Sequence, residues 1–159
     1  GHLKIPVYAT STAKHPVTHV SCQIVDTPGI LDRPLEERNE IELRAIAALK
    51  TLATGIIFIF DYTQFDALVA QQNLLRQISR TFPEIPLFLI CGKADLLNEN
   101  QKAELKSFWK LNMDQYNLHL ISMNNQEEVS NLIIEFFEKN RAKIIELTNK
   151  RNVVKEEAG

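Results

Sequence analysis

The sequence predicts an α/β protein, a three-layer sandwich built on a mainly parallel sheet. Three observations predict it. Strand-like and helix-like segments alternate almost from end to end. The runs Ile56 to Phe60 and Leu87 to Cys91 are continuously apolar, as parallel strands covered on both faces require. The helical segments between strands are long enough for the chain to cross the sheet and return parallel. At 159 residues the chain suits one compact domain with a core of ordinary size, and no internal repeat or domain boundary is visible.

Taken in order, Gly1-His2 reads as the remnant of a cleaved purification tag, so the domain is expected over residues 3–150. Val17 to Val25 alternates, ends apolar and predicts a strand leading into Asp26. Leu35 to Ala53 carries Ile41, Ala45, Ala48, Leu49 and Leu52 at helical spacing, and Gly55 breaks it. After the Ile56 strand, Asp66 is a candidate cap for a helix whose Leu68, Gln71, Leu74, Leu75 and Ile78 share a face. Pro83 and Pro86 bracket its end before the Leu87 strand. A helix from Glu99 to Leu111, a strand from Leu118 to Ser122 and a helix from Gln126 to about Lys150 complete the series. Val129, Leu132, Ile133, Phe136 and Phe137 form an apolar stripe on the last helix, read as core packing. The polar tail 151–159 is expected to be disordered.

Hydrophobic residues are 45% and charged residues 24%, the balance of a soluble globular protein. A formal net charge of −2 supplies no bulk attraction for nucleic acid. No apolar run is long enough to span a bilayer and no secretory leader is visible, which leads to a cytoplasmic expectation. Cys22 and Cys91 lie in apolar strand-like runs and read as reduced core thiols. His15, His19 and His119 have no metal-ligand spacing, and no Ser/His/Asp or Cys/His arrangement can be argued; no residue is assigned as catalytic.

Ligand groups in open α/β sheets gather on the loops beyond the carboxyl ends of strands. The first such loop is Asp26-Thr27-Pro28-Gly29-Ile30-Leu31-Asp32-Arg33-Pro34-Leu35-Glu36-Glu37-Arg38-Asn39. In a D-x-x-G after an apolar strand, the Asp can hold Mg²⁺ through water and the Gly backbone N–H can approach a γ-phosphate. A capped turn would account for the tetrapeptide alone but not for the run to Asn39. That run closely resembles the switch II segment of the nucleolar GTP-binding protein family, relatives of the Obg GTPases that act in ribosome assembly. The resemblance extends over roughly Val20 to Ser122 and is strongest in its first third.

The resemblance implies a P-loop GTPase-like fold, here incomplete, with Asp26, Thr27 and Gly29 as the Mg²⁺ and γ-phosphate elements. Cys91-Gly92-Lys93-Ala94-Asp95 resembles the guanine-reading N-K-x-D element, with Asp95 accepting from the base N1–H and exocyclic amine and the Lys93 stem along the ring. Gly92 stands where that element has Asn, a departure expected to weaken affinity more than base choice. Ser122 and Met123 match a third guanine-binding element only loosely, and a Ser cap before the last helix accounts for Ser122 equally well.

Two absences qualify the resemblance. No G-x-x-x-x-G-K-S/T occurs, so no amide nest and lysine cradle the β-phosphate. Ile30 follows the D-x-x-G, and an apolar side chain cannot orient an attacking water. The family implies GTP or GDP with Mg²⁺ in the intact protein and a pre-ribosomal particle as partner, while this chain by itself is expected to be inactive. An interaction module with a G-domain shape that binds no nucleotide is the alternative. A receiver or phosphatase domain using Asp26 or Asp61 is a weaker third reading that requires an acidic cluster at one sheet edge.

Two readings of the N-terminal stretch stay open. Thr10 or Thr12 serves as a Mg²⁺-holding switch I threonine, or Leu3 to Ala9 pairs with Val17 to Val25 in a hairpin through His15-Pro16. The short spacing to Asp26 favours the hairpin. The strands ending at Asp26 and Asp61 are expected to lie side by side or to flank a substitute strand.

Overall fold

A computed structural model describes residues 2–7, 12–25, 40–112, 117–122 and 124–159. In chain order its elements are β1 (His2–Val7), β2 (Thr18–Gln23), α1 (Glu40–Leu52), β3 (Ile56–Phe60), α2 (Leu68–Thr81), β4 (Leu87–Cys91), α3 (Glu99–Asn112), β5 (Leu118–Leu120) and α4 (Gln126–Ala158). Short 3₁₀ turns at Phe65–Ala67 and Ala94–Leu96 precede α2 and α3.

β3, β4 and β5 form a parallel sheet in the order β3-β4-β5. The apolar runs become strands because Gly55 and Pro86 stop helix propagation on their N-terminal side and the β-branched and aromatic residues suit a pleated surface. On one face Phe58, Phe60, Leu89 and Cys91 pack against Leu68, Leu75 and Ile78 of α2 and Leu105 and Trp109 of α3. On the other, Phe88, Ile90 and Ile121 pack against Phe136, Val129 and Leu132 of α4. Phe60 and Trp109 meet edge to face at 5.5 Å, and Phe88 stacks on Phe136 at 5.1 Å. Each such side chain contributes roughly 1.5–3 kcal/mol by leaving water. The three layers expected from the sequence are present.

The apolar stripe of α4 divides between two cores. Phe136 belongs to the sheet core, whereas Phe137 joins Ile144 and Ile134 in covering Ile5, Val20 and Cys22 of the hairpin. β1 and β2 pair antiparallel, with Ile5 opposite Val20, as the hairpin reading expects. His2, set aside as a tag remnant, pairs with Gln23.

Several expectations are corrected. β2 ends at Gln23 and pairs with β1, not β3, so the strands before Asp26 and Asp61 are not neighbours; a local hairpin partner satisfies its backbone. The helix after Gly55's strand starts at Leu68 with Ala67 as N-cap and no side-chain cap. Asp66 lies inside the preceding 3₁₀ turn, because helical winding has already begun there. β3 is not covered on both faces: Ile57 and Ile59 are 37% and 54% exposed. Their register partners Phe88 and Ile90 lie under α4. Helix α4 continues through Ala158 where a disordered tail is expected from 151. No Gly or Pro interrupts it, and Glu135–Lys139 and Glu146–Lys150 pair at i,i+4 spacing.

Two outcomes follow from this packing. A Cβ added at Gly55 would stand 3.0 Å from the Phe136 ring, so Gly55→Ala is expected to disturb the Phe88–Phe136 stack and lower urea-unfolding stability by about 1–3 kcal/mol. Residues 152–158 are exposed throughout, so their amides should exchange with solvent nearly unprotected while those of Phe136 and Phe137 exchange slowly.

Candidate functional site

The carboxyl ends of the three parallel strands are stitched together by backbone hydrogen bonds. Gly92 N donates to Phe60 O at 3.1 Å, Ile121 N to Cys91 O at 3.1 Å, and Ala94 N to Ile121 O at 3.2 Å. These bonds bring Asp61, the Gly92–Asp95 loop and Ser122 to one end of the sheet. Asp95 is exposed in the first turn of the Ala94–Leu96 3₁₀ helix, open to a ligand. Of the residues read as guanine elements, Lys93, Asp95 and Ser122 are thus gathered on neighbouring strand ends. Ser122 does not cap α4: Asn125 does, accepting from Glu128 N at 3.1 Å, while the Ser122 carbonyl accepts from Asn125 N. Met123 and the switch II residues Asp26, Thr27 and Gly29 lie outside the described residues.

Sequence reasoning missed the pairing of Lys93 with Asp61. Lys93 Nζ donates to Asp61 Oδ2 at 2.7 Å. Thr63 donates to the other oxygen from its backbone N at 2.9 Å and from its hydroxyl. The Asp61 backbone is clamped in turn by Gln71 of α2: Asp61 N donates to Gln71 Oε1 at 2.8 Å and Gln71 Nε2 donates to Asp61 O at 3.0 Å. Gln71 was expected on the apolar face; its amide is instead placed where the sheet's ladder ends. The signal available in the sequence was an Asp directly after a buried strand, the same position relative to β3 that Asp26 holds after its own strand-like run.

Partial burial would raise the Asp61 carboxyl, but the hydrogen bonds from Lys93 and Thr63 outweigh it and hold the group below its ordinary value. Burial pushes the thiols of Cys91 and Cys22 up, in keeping with free, unreactive cysteines. Among the described residues no cluster of three or more His, Cys, Asp or Glu could hold a metal ion. Among the described residues the acidic edge that a receiver or phosphatase needs is not formed around Asp61, whose carboxylate is occupied by Lys93 and Thr63. A cavity of about 330 Å³ at the start of α4 is lined by Asn125, Glu127, Glu128, Asn131, Leu132 and Glu135. Its three carboxylates disfavour a phosphate there. No described helix is long and apolar enough to cross a membrane.

An α/β domain that gathers polar side chains at the carboxyl ends of parallel strands has the architecture of the open-sheet class. Residues 40–95 match the protein family described as Nucleolar GTP-binding protein 1 (NOG1). An uncharacterised protein of Methanocaldococcus jannaschii is 47% identical over 81 residues, covering 50% of this chain and 23% of that protein. Nucleolar GTP-binding protein 1 of Drosophila melanogaster is 36% identical over 109 residues, 64% of this chain and 17% of the relative. The protein of the same name from Arabidopsis thaliana is 43% identical over 77 residues, 47% of this chain and 12% of the relative. Over these matched residues the chain is similar to the nucleolar GTP-binding protein family. The chain thus spans less than a quarter of the length of these relatives. The family match begins just after the Asp26–Asn39 run that suggested it and ends on Asp95. The cytoplasmic expectation is corrected by these names: relatives from Drosophila, Arabidopsis, Caenorhabditis elegans and Saccharomyces cerevisiae are all called nucleolar.

Stability should carry the mark of the Asp61–Lys93 pair. Asp61 has a lowered folded-state pKa, so its contribution is complete above the ordinary carboxylate value of about 3.9 and disappears as pH falls through the folded value. Lys93 is half exposed, so solvent screening keeps the pair to about 1 kcal/mol or less. Urea unfolding of Asp61→Asn is expected to show that deficit at pH 7 and to converge with the unsubstituted chain below about pH 3.9.

Proposed function

We propose that this chain is the guanine-reading portion of a GTP-binding domain of the Obg-related nucleolar type. The observation that carries the reading is the Gly92–Asp95 loop, held against β3 and the segment after β5 with the Asp95 side chain exposed. In this reading Asp95 accepts from the base N1–H and exocyclic amine, which adenine cannot supply in that arrangement. Lys93 packs its stem beside the ring while its ammonium stays on Asp61. Ser122 would support the base, and the resemblance assigns Met123 to the base oxygen.

Asp26 would hold Mg²⁺ through water, with Thr27 and Gly29 beside the γ-phosphate. The ion's contribution is neutralisation of phosphate charge. The phosphates need a G-x-x-x-x-G-K-S/T segment that this sequence does not contain. The uncovered Ile57 and Ile59 on β3 fit a domain in which a further element packs on that face. We accordingly read the chain as one part of a GTP-binding domain whose hydrolysis, if any, depends on groups outside it. The family resemblance supports a place in ribosome assembly, with a pre-ribosomal particle as the partner of the intact protein.

A second reading, a G-domain-shaped interaction module that binds no nucleotide, is favoured by Gly92, which offers the loop no side chain. Calorimetric titration with GTP, GDP and ATP in Mg²⁺ separates the two. Guanine nucleotides are expected to bind measurably, weakened by the missing phosphate cradle, and ATP not at all. Equal binding of ATP, or binding of none of the three, would reject guanine recognition by this chain.

A further inference from the structure

Lys93 is the one non-glycine residue with a positive φ among the described residues, at φ 59°, ψ 29°. An L-residue with a long side chain loses roughly 1–2 kcal/mol in that left-handed region, so the surroundings must hold it there. Gly92 before it has no side chain, and glycine would accept the left-handed conformation more readily than lysine does. The chain nevertheless puts the turn on Lys93, and the group that meets its side chain is Asp61, 32 residues earlier.

Asp61 is well placed to impose a backbone geometry. Its own backbone is clamped at both N and O by Gln71, on a helix anchored in the core by Leu68, Leu75 and Ile78. Its carboxylate is oriented by two bonds from Thr63, leaving Oδ2 for Lys93. Lys93 is the N-cap of the 3₁₀ turn that carries Asp95, and its carbonyl accepts from Leu96 N at 3.0 Å. The direction of the Lys93 backbone therefore sets where the Asp95 carboxylate stands. A rigid path runs from the α2 core through Gln71, Asp61 and Lys93 to Asp95.

We propose that Asp61 is a positioning residue for base recognition: its ion pair with Lys93 locks the left-handed turn that aims Asp95. The proposal rests on the reading of Lys93 and Asp95 as guanine elements and gives the loop, through a neighbouring strand, the tether that Gly92 cannot provide.

The test compares GDP with inosine diphosphate, which lacks the exocyclic amine, in equilibrium titrations of the full chain and of its Asp61→Asn, Asp61→Ala and Asp61→Glu variants. The unsubstituted chain should prefer GDP. Asp61→Ala should reduce the GDP-to-inosine ratio by about tenfold, the scale of one lost hydrogen bond to a charged group, and Asp61→Glu should restore part of it. A purely structural role for Asp61 would weaken both nucleotides alike and leave the ratio unchanged, which would overturn the proposal. NMR gives a second readout that needs no nucleotide: the strong intraresidue amide–Hα NOE of a positive φ should be present at Lys93 and lost in Asp61→Asn. Its persistence in that variant overturns the positioning role. Were the unsubstituted chain to bind neither diphosphate while the NOE behaved as expected, the guanine reading would fail and Asp61's control of the loop would stand.

Discussion

Parallel pairing of β4 with a neighbour on each side is the constraint from which the rest of the structure follows. Its five residues alternate between two cores, Leu89 and Cys91 toward α2 and α3, Phe88 and Ile90 toward α4. Register with β3 places Phe60 beside Cys91, and register with β5 places Leu120 beside Cys91 as well. Three strands consequently stop at one level, and their following loops emerge together. Because the strands are parallel, all three loops present carboxyl ends, where ligand groups converge in open sheets.

Around that frame the polar chemistry is arranged by a few directional bonds. Buried strands leave no room for charge, so charged groups first appear one residue past β3 and two past β4. Asp61 and Lys93 meet there at 2.7 Å, partly shielded by the strand ends, with Thr63 and Gln71 completing the carboxylate's and backbone's partners. The pair is modest in free energy and specific in geometry, as a partly exposed ion pair is expected to be. It lowers the Asp61 pKa and restrains a left-handed Lys93 with a single contact.

The sheet is also asymmetric. β4 is covered on both faces, whereas β3 exposes Ile57 and Ile59 and has a paired neighbour on one side among the described residues. Continuous apolar runs normally signal strands shielded on both faces. Here the run records a requirement that is met over β4 and not at Ile57 and Ile59 of β3. The hairpin β1–β2 packs on the same helix through Ile5, Phe137 and Ile144, and Leu147 joins the core of α2 and α3, so α4 contributes to three hydrophobic clusters along its length.

The sequence alone determined the α/β class, the bounds of β3 and β4, and the position of the Gly92–Asp95 loop just beyond β4. Those features are local: an apolar run stopped by Gly55 or Pro86, and a short motif just beyond a strand, need no knowledge of distant contacts. The family was legible from Asp26 to Asn39, because a long run of specific residues carries information that composition does not. Tertiary structure decided the rest. That β2 does not pair with β3, that Asp66 falls inside a turn, and that Asp61 holds Lys93 across 32 residues all depend on which segments meet in space. Periodicity reports which side of an element seeks burial. It does not report which partner arrives to cover it, and that is why Ile57 and Phe88, paired in register and alike in sequence pattern, end on opposite sides of the line between exposed and buried.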